Sequence, residues 1–64
     1  MGEIIREKRE QLQITQTELS KLVGVSCKSI SAYELETRTP SIKVLVKIIK
    51  ILNIPANKIR KYYI

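Results

Sequence analysis

TQTELSKLVGVSCKSISAYEL, residues 15–35, carries the signals of two short helices joined by a tight corner. Thr15 is a favourable N-cap for the first helix, and Ser26 is one for the second. Gly24, between them, can adopt the left-handed conformation in which helices commonly end. A turn of three or four residues that contains Gly makes a sharp corner between two helices. The stretch therefore predicts a helix-turn-helix unit over about residues 16–35.

Further signals extend this pattern in both directions. Glu18 completes a Thr-x-x-Glu capping box, and Ile14 with Leu19 has the spacing of a hydrophobic staple. Pro40 breaks the chain, after which Ser41 can cap another helix. Helical spacing of apolar residues prevails over alternation throughout. We expect an all-α, compact bundle of four to five short helices, at about Glu3–Leu12, Gln16–Val23, Cys27–Leu35, Ile42–Leu52 and Ala56–Tyr62.

Length and composition exclude several classes of protein. A chain of 64 residues makes a single domain, 1–64. Cys27 is its only cysteine and histidine is absent, so we expect no disulfide, metal, cofactor or enzymatic nucleophile–base pair. A lone thiol without a signal peptide suits a reducing cytoplasm. Lysines interrupt the apolar run at 42–54, so we expect no membrane span.

The formal net charge is +6, which favours a polyanionic partner, although solubility alone could account for it. Acidic and basic residues balance over 1–14 and again over 15–39. The excess positive charge lies in the last 25 residues, at Lys43, Lys47, Lys50, Lys58, Arg60 and Lys61. The predicted helix-turn-helix is therefore not a simple basic patch.

Several spaced segments together resemble the Cro/Xre, lambda-repressor-like helix-turn-helix family. They are Ile5 with Arg9 (I-x-x-x-R), then TQTELSKLVGVS, KSISAYE, TPS and LVKIIKILNI. The resemblance covers about Ile5–Ile59 and implies a helical bundle that binds operator DNA, usually as a dimer. The sequence departs from it in three places: Gln13 stands where the family often has Gly, and the loop at 36–39 lacks its usual Gly. Ser20 replaces the commoner Ala, at a slight cost for a partly buried hydroxyl unless it bonds a carbonyl.

The resemblance implies which residues of the third helix meet DNA bases. The first, second and sixth residues of that helix do so in the family, which here are Cys27, Lys28 and Ala32. Lys28 can donate to guanine O6 and N7, and Ala32 can contact a thymine methyl group. Ser31 is a further candidate, for either a base or a phosphate. The alternative for each is an exposed helix residue without a role.

Two other groups of residues follow from the same resemblance. Arg9 and Glu34 both lie beside apolar stripes, so each needs a partner, and they resemble the family's salt bridge between the first and third helices. Ser26 is expected chiefly as an N-cap. The candidate phosphate contacts are Gln16, Ser26, Thr37, Arg38, Thr39 and Lys43.

The fourth helix has more apolar residues than a core requires. Ile42, Leu45, Ile49 and Leu52 suffice for an inward stripe, which needs to span only ~100°. The remaining apolar residues suggest either tolerated surface positions or the seam of a symmetric dimer. The candidate seam consists of Val44, Ile48, Ile51, Tyr62, Tyr63 and Ile64.

Together these features predict a sequence-specific regulator of transcription from a bacterium, a phage or a mobile element. We expect a homodimeric repressor that occupies a near-palindromic double-stranded operator, without a small-molecule ligand. Activation through an exposed acidic surface such as Glu18 is a second possibility. A protein-binding module of the same fold, such as an antitoxin or anti-repressor, is the alternative class. A redox switch at Cys27 is a further hypothesis.

Overall fold

The computed structural model describes residues 1–55, which form four helices and no strand. The predicted all-α fold is confirmed over this part of the chain, with α4 at its predicted bounds and the other helices within one residue of theirs. The fifth predicted helix, Ala56–Tyr62, lies outside the described residues. The helices are α1 (Gly2–Gln11), α2 (Gln16–Val23), α3 (Cys27–Glu34) and α4 (Ile42–Leu52).

Local capping chemistry sets the ends of the central helices. Thr15 Oγ1 accepts from Glu18 N at 3.0 Å, and Glu18 Oε1 accepts from Thr15 N at 2.9 Å, which confirms the capping box. The Ser26 and Ser41 hydroxyls accept from backbone N–H groups in the first turns of α3 and α4. Gly24 ends α2 with a φ of 87°, in the left-handed region. The corner between α2 and α3 therefore forms as expected.

Among residues 1–55, three residues other than glycine also adopt positive φ: Gln13 at 58°, Glu36 at 61° and Asn53 at 53°. Gln13 and Glu36 are long side chains in a conformation that costs an L-residue about 1–2 kcal/mol. At Glu36 the surroundings offset part of that cost. Its Oε1 accepts from the Met1 ammonium at 2.9 Å and from Gly2 N at 3.3 Å. Those contacts lower the pKa of the Glu36 carboxyl, the ammonium hydrogen bond having the largest effect.

The core lies where α1 and α2 pack against both α3 and α4. Among the described residues, Ser20 is the one polar residue that is buried as a whole, backbone and side chain together. Its hydroxyl donates to the Thr17 carbonyl at 2.6 Å, so the expected cost of burying it is offset. The buried apolar residues are Ile5, Leu19, Val23, Ile30, Tyr33, Leu45, Ile48, Leu52 and Ile54.

The predicted inward face of α4 is wrong by about 50°, half of the ~100° step between successive residues. The sequence pattern predicts Ile48 in a dimer seam, but it is fully buried. The same pattern predicts Ile42 in the core, but it is 68% exposed. Leu45 and Leu52 are buried as expected, and Ile49 is half-buried. At ~100° per residue, the buried stripe lies directly opposite the three lysines of α4, which were the better guide to its orientation.

A smaller correction concerns α1. The i, i+4, i+7 spacing of Ile5, Arg9 and Leu12 predicts one inward face, but Leu12 is 50% exposed. Leu12 is the C-cap residue of α1 and keeps right-handed helical angles (φ −85°, ψ −2°), so it stays on the same face of the helix but beyond the part that is buried. Within residues 1–55, no helix combines the length and apolar character needed to cross a membrane.

Candidate nucleic-acid interface

The third helix is fixed on one side and open on the other. Ile30 is fully buried and Tyr33 nearly so, which seats α3 against the core. Cys27 and Lys28 are exposed, and Ser31 and Ala32 are half-buried. The outer face therefore consists of small side chains and one lysine. A helix with so thin an outer face fits a DNA major groove ~12 Å wide.

The predicted salt bridge between Arg9 and Glu34 is present. Arg9 Nε donates to Glu34 Oε2 at 2.7 Å, and Arg9 Nη2 donates to Glu34 Oε1 at 3.3 Å. The two side chains are only 13% and 4% exposed. The hydrogen bond to Glu34 raises the pKa of Arg9, and burial opposes it. This pair fixes the C-terminal part of α3 to α1.

Gln16, the first residue of α2, joins the same cluster. Its Nε2 donates to Glu34 Oε1 at 3.1 Å, a contact between two side chains 18 positions apart. The sequence predicts a phosphate contact for Gln16 but does not indicate Glu34 as its partner. No local pattern indicates this contact, because it depends on how α2 crosses α3.

The N-terminal end of α3 meets the loop before α4. Arg38 Nη1 donates to Ser29 Oγ at 3.5 Å, and Ser29 Oγ lies 3.0 Å from Ser26 Oγ. The structure thus brings together Ser26 and Arg38, two of the predicted phosphate contacts. Ser29 was not among the predicted site residues. Its position three residues after the N-cap was the signal that could have identified it.

The other predicted phosphate contacts also lie on exposed segments. Thr37 Oγ1 donates to the Ala32 carbonyl at 3.3 Å, so this hydroxyl helps to close the end of α3. Thr39 is exposed in the loop, and Lys43 is exposed in the first turn of α4.

At the N-terminal end of α3, Cys27 Sγ lies 3.5 Å from Thr17 Oγ1. The first turns of α2 and α3 are therefore neighbours.

Comparison with known proteins agrees with this geometry. A family model described as helix-turn-helix matches residues 5–59, most of the chain. The chain belongs to the Cro/C1-type helix-turn-helix family. The matched span contains both helices of the helix-turn-helix, and the predicted resemblance is confirmed. No solved structure matches the chain at a significant level.

Individual relatives carry names that fit this family. A protein of Methanococcus maripaludis named as an HTH-type transcriptional regulatory protein is 40% identical over 57 residues, 89% of this chain and 18% of that protein. A protein of the same kind from Methanocaldococcus jannaschii is 37% identical over 57 residues, with the same shares covered. The chain thus spans less than a fifth of the length of these archaeal relatives.

A shorter relative comes from a phage. The "ImmF control region 10 kDa protein" of Bacillus phage phi105 is 32% identical over 60 residues. The match covers 94% of this chain and 67% of the phage protein.

Proposed function

We propose that this chain is a sequence-specific, double-stranded DNA-binding regulator of transcription that acts as a repressor by occupying an operator. The observation that carries the proposal is the exposed outer face of α3, held rigidly by the buried Ile30 and the Arg9–Glu34 pair. Membership of a family of DNA-binding regulators supports it. A protein with this role acts in the cytoplasm and needs no enzymatic activity.

Base recognition is proposed for four residues of α3 that are exposed or half-buried: Cys27, Lys28, Ser31 and Ala32. Lys28 is fully available to donate to guanine O6 and N7, and Ala32 offers a methyl group to thymine. Cys27 and Ser31 have short side chains that can contact either a base edge or a phosphate. A single lysine among small residues predicts a strong preference at one base pair and weaker preferences beside it.

Phosphate contacts would flank this helix on two sides. Gln16 lies at the start of α2, while Ser26, Arg38 and Ser29 form a connected polar group at the start of α3. Thr37, Thr39 and Lys43 extend that group along the loop and into α4. Such contacts fix orientation on the duplex and add affinity without sequence information.

A homodimer on a near-palindromic operator is proposed as the functional unit. Two copies would place their α3 helices about 34 Å apart, one turn of DNA. Of the candidate seam residues, Val44 and Ile51 are half-buried on one flank of α4. Tyr62, Tyr63 and Ile64 lie outside the described residues. Ile48 is buried in the core and is therefore not part of the proposed seam.

Selection of bound duplexes from a random pool tests the proposal. The expected result is a recovered motif with two related half-sites, and binding that weakens steeply as salt is raised. Lys28→Ala should reduce affinity for the selected duplex and relax specificity at one position. Lys21→Ala, on an exposed position of α2, is the matched loss of charge. Recovery of no motif would overturn the proposal.

The exposed apolar residues carry a second candidate function, a protein-binding module. Leu35 and Ile42 are 72% and 68% exposed, and Val46 is 42% exposed. Exposed apolar side chains of this size can mark a protein contact. A module of this kind would show neither a salt-dependent duplex affinity nor an effect of Lys28→Ala.

A further inference from the structure

One carboxylate connects three of the four helices. Glu34 belongs to α3, and its side chain accepts hydrogen bonds from Arg9 of α1 and from Gln16 of α2. The Glu34 side chain is 4% exposed, so its carboxylate has little access to water. The hydrogen bonds from Arg9 and Gln16 supply the partners that a buried carboxylate needs. Arg9 is itself held from another direction, because its Nη1 donates to the Ile14 carbonyl at 2.9 Å. Both members of the Arg9–Glu34 pair therefore have a further hydrogen bond, Arg9 to Ile14 and Glu34 from Gln16.

The chemistry of the cluster determines how the Gln16 amide is turned. An ionised carboxylate beside an arginine only accepts hydrogen bonds, so Gln16 must direct its NH2 group, and not its oxygen, to Glu34. That NH2 group carries two hydrogens, and Glu34 Oε1 engages one of them. The second hydrogen is then available in a fixed direction. A DNA phosphate oxygen, which also only accepts, is a suitable partner for it.

We propose that Glu34 is a positioning residue for DNA binding: it holds the Gln16 amide so that one N–H is directed at a backbone phosphate. The inference rests on the proposed function and deepens it. The Arg9–Glu34 pair then has two roles, one in folding and one in the affinity for DNA. Without Glu34, the Gln16 side chain would rotate freely and would have to be ordered at each binding event.

Two replacements separate these roles. The double variant Arg9→Met/Glu34→Met exchanges the ion pair for apolar side chains of similar length, which is often neutral or stabilising for a fold. It also removes the anchor of Gln16. Gln16→Ala removes the donor itself, and Gln11→Ala, at an exposed glutamine of α1, is the matched control.

The measurement is affinity for the duplex selected from the random pool, with single phosphates replaced in turn by neutral methylphosphonates. In the wild type, one replacement per half-site should weaken binding about tenfold or more through Gln16. The affinity of the Gln16→Ala protein should not change when that phosphate is replaced. The same is expected of the double variant, with a thermal stability equal to that of the wild type. Gln11→Ala should keep the wild-type pattern.

Several outcomes would decide against the positioning role. One is a double variant of wild-type stability that keeps both the affinity and the sensitivity of the wild type. Another is a Gln16→Ala protein that remains sensitive at every phosphate. If the double variant does not fold, Glu34→Gln serves in its place, since it keeps the side-chain volume and one acceptor for Arg9. Failure to select any duplex would instead count against DNA binding as a whole.

Discussion

Gly2 of α1 lies directly against the backbone carbonyl of Glu34, the last residue of α3. A Cβ atom at position 2 would overlap this carbonyl and would contact the Tyr33 carbonyl at 2.5 Å. Both obstacles are backbone atoms, which cannot rotate away as a side chain can. The start of α1 and the end of α3 therefore approach each other more closely than a residue with a Cβ atom would allow.

Gly2→Ala should consequently destabilise the fold although alanine is the better helix former. Overpacking of this kind typically costs about 1–3 kcal/mol. Thermal or urea unfolding followed by circular dichroism measures the change. Glu3→Ala, at the next and exposed position, should differ from the wild type by no more than about 0.5 kcal/mol. Equal stability of Gly2→Ala and wild type would show that α1 can move away from α3 without cost.

Gln13→Gly should stabilise the protein. Gln13 has a φ of 58°, and glycine adopts this conformation without the steric cost that a side chain adds. Part of the gain is lost to the greater entropy of glycine in the unfolded chain, so about 0.5–1 kcal/mol is expected. Gln11→Gly, at the last residue of α1, should have the opposite sign because glycine has a lower helix propensity than glutamine. A decrease in stability for both variants would contradict the strain at Gln13.

Ile48→Ala and Ile42→Ala should differ sharply in their effect on folding. Ile48 is fully buried, and truncation of such a residue typically costs about 2–5 kcal/mol. Ile42 is 68% exposed, so its truncation should cost less than about 1 kcal/mol. Chemical denaturation of both variants tests this contrast. Similar losses for the two would restore the inward face that the sequence pattern predicted for α4.

The Glu36 carboxylate should make stability depend on pH in acid. Its pKa is lower in the folded protein than the usual 4.5, so the unfolded chain takes up this proton first as pH falls. The stabilisation is complete above about pH 4.5 and is lost as pH decreases through the lower folded pKa. Glu36→Gln has no such group. The stability difference between wild type and Glu36→Gln should shrink from pH 6 towards pH 2, whereas a constant difference would exclude the ionic contribution.

The parts of this molecule that were predictable from sequence are those set by local chemistry. Thr15 and Glu18 form a capping box because both partners lie within one turn of each other. The Arg9–Glu34 pair is not local, yet it was predictable in two ways. A charge on an apolar stripe requires a partner, and the family resemblance indicates which residue that partner is.

The parts that could not be predicted depend on how helices cross. Every position of α4 other than its three lysines is apolar, so more than one inward stripe fits the pattern. The pattern therefore places Ile42 inside and Ile48 outside, the reverse of the structure. The partner of Gln16 depends on the placement of α3 beside α2, which no spacing in the sequence encodes. The same holds for Glu36, whose partners on Met1 and Gly2 are more than 30 positions away.

Gly24 differs from Gly2 in what restricts it. Its φ of 87° excludes most L-residues, but a Cβ built at this position would have no heavy atom within 4 Å. At position 24, therefore, the backbone conformation disfavours an L-residue, whereas the space around it would accept a side chain. A chain of 64 residues is within reach of chemical synthesis and ligation, and D-alanine at position 24 would suit the turn as well as glycine does. It would also reduce the conformational entropy of the unfolded chain at this position. One D-residue would therefore stabilise the corner between α2 and α3 without altering any surface offered to a partner.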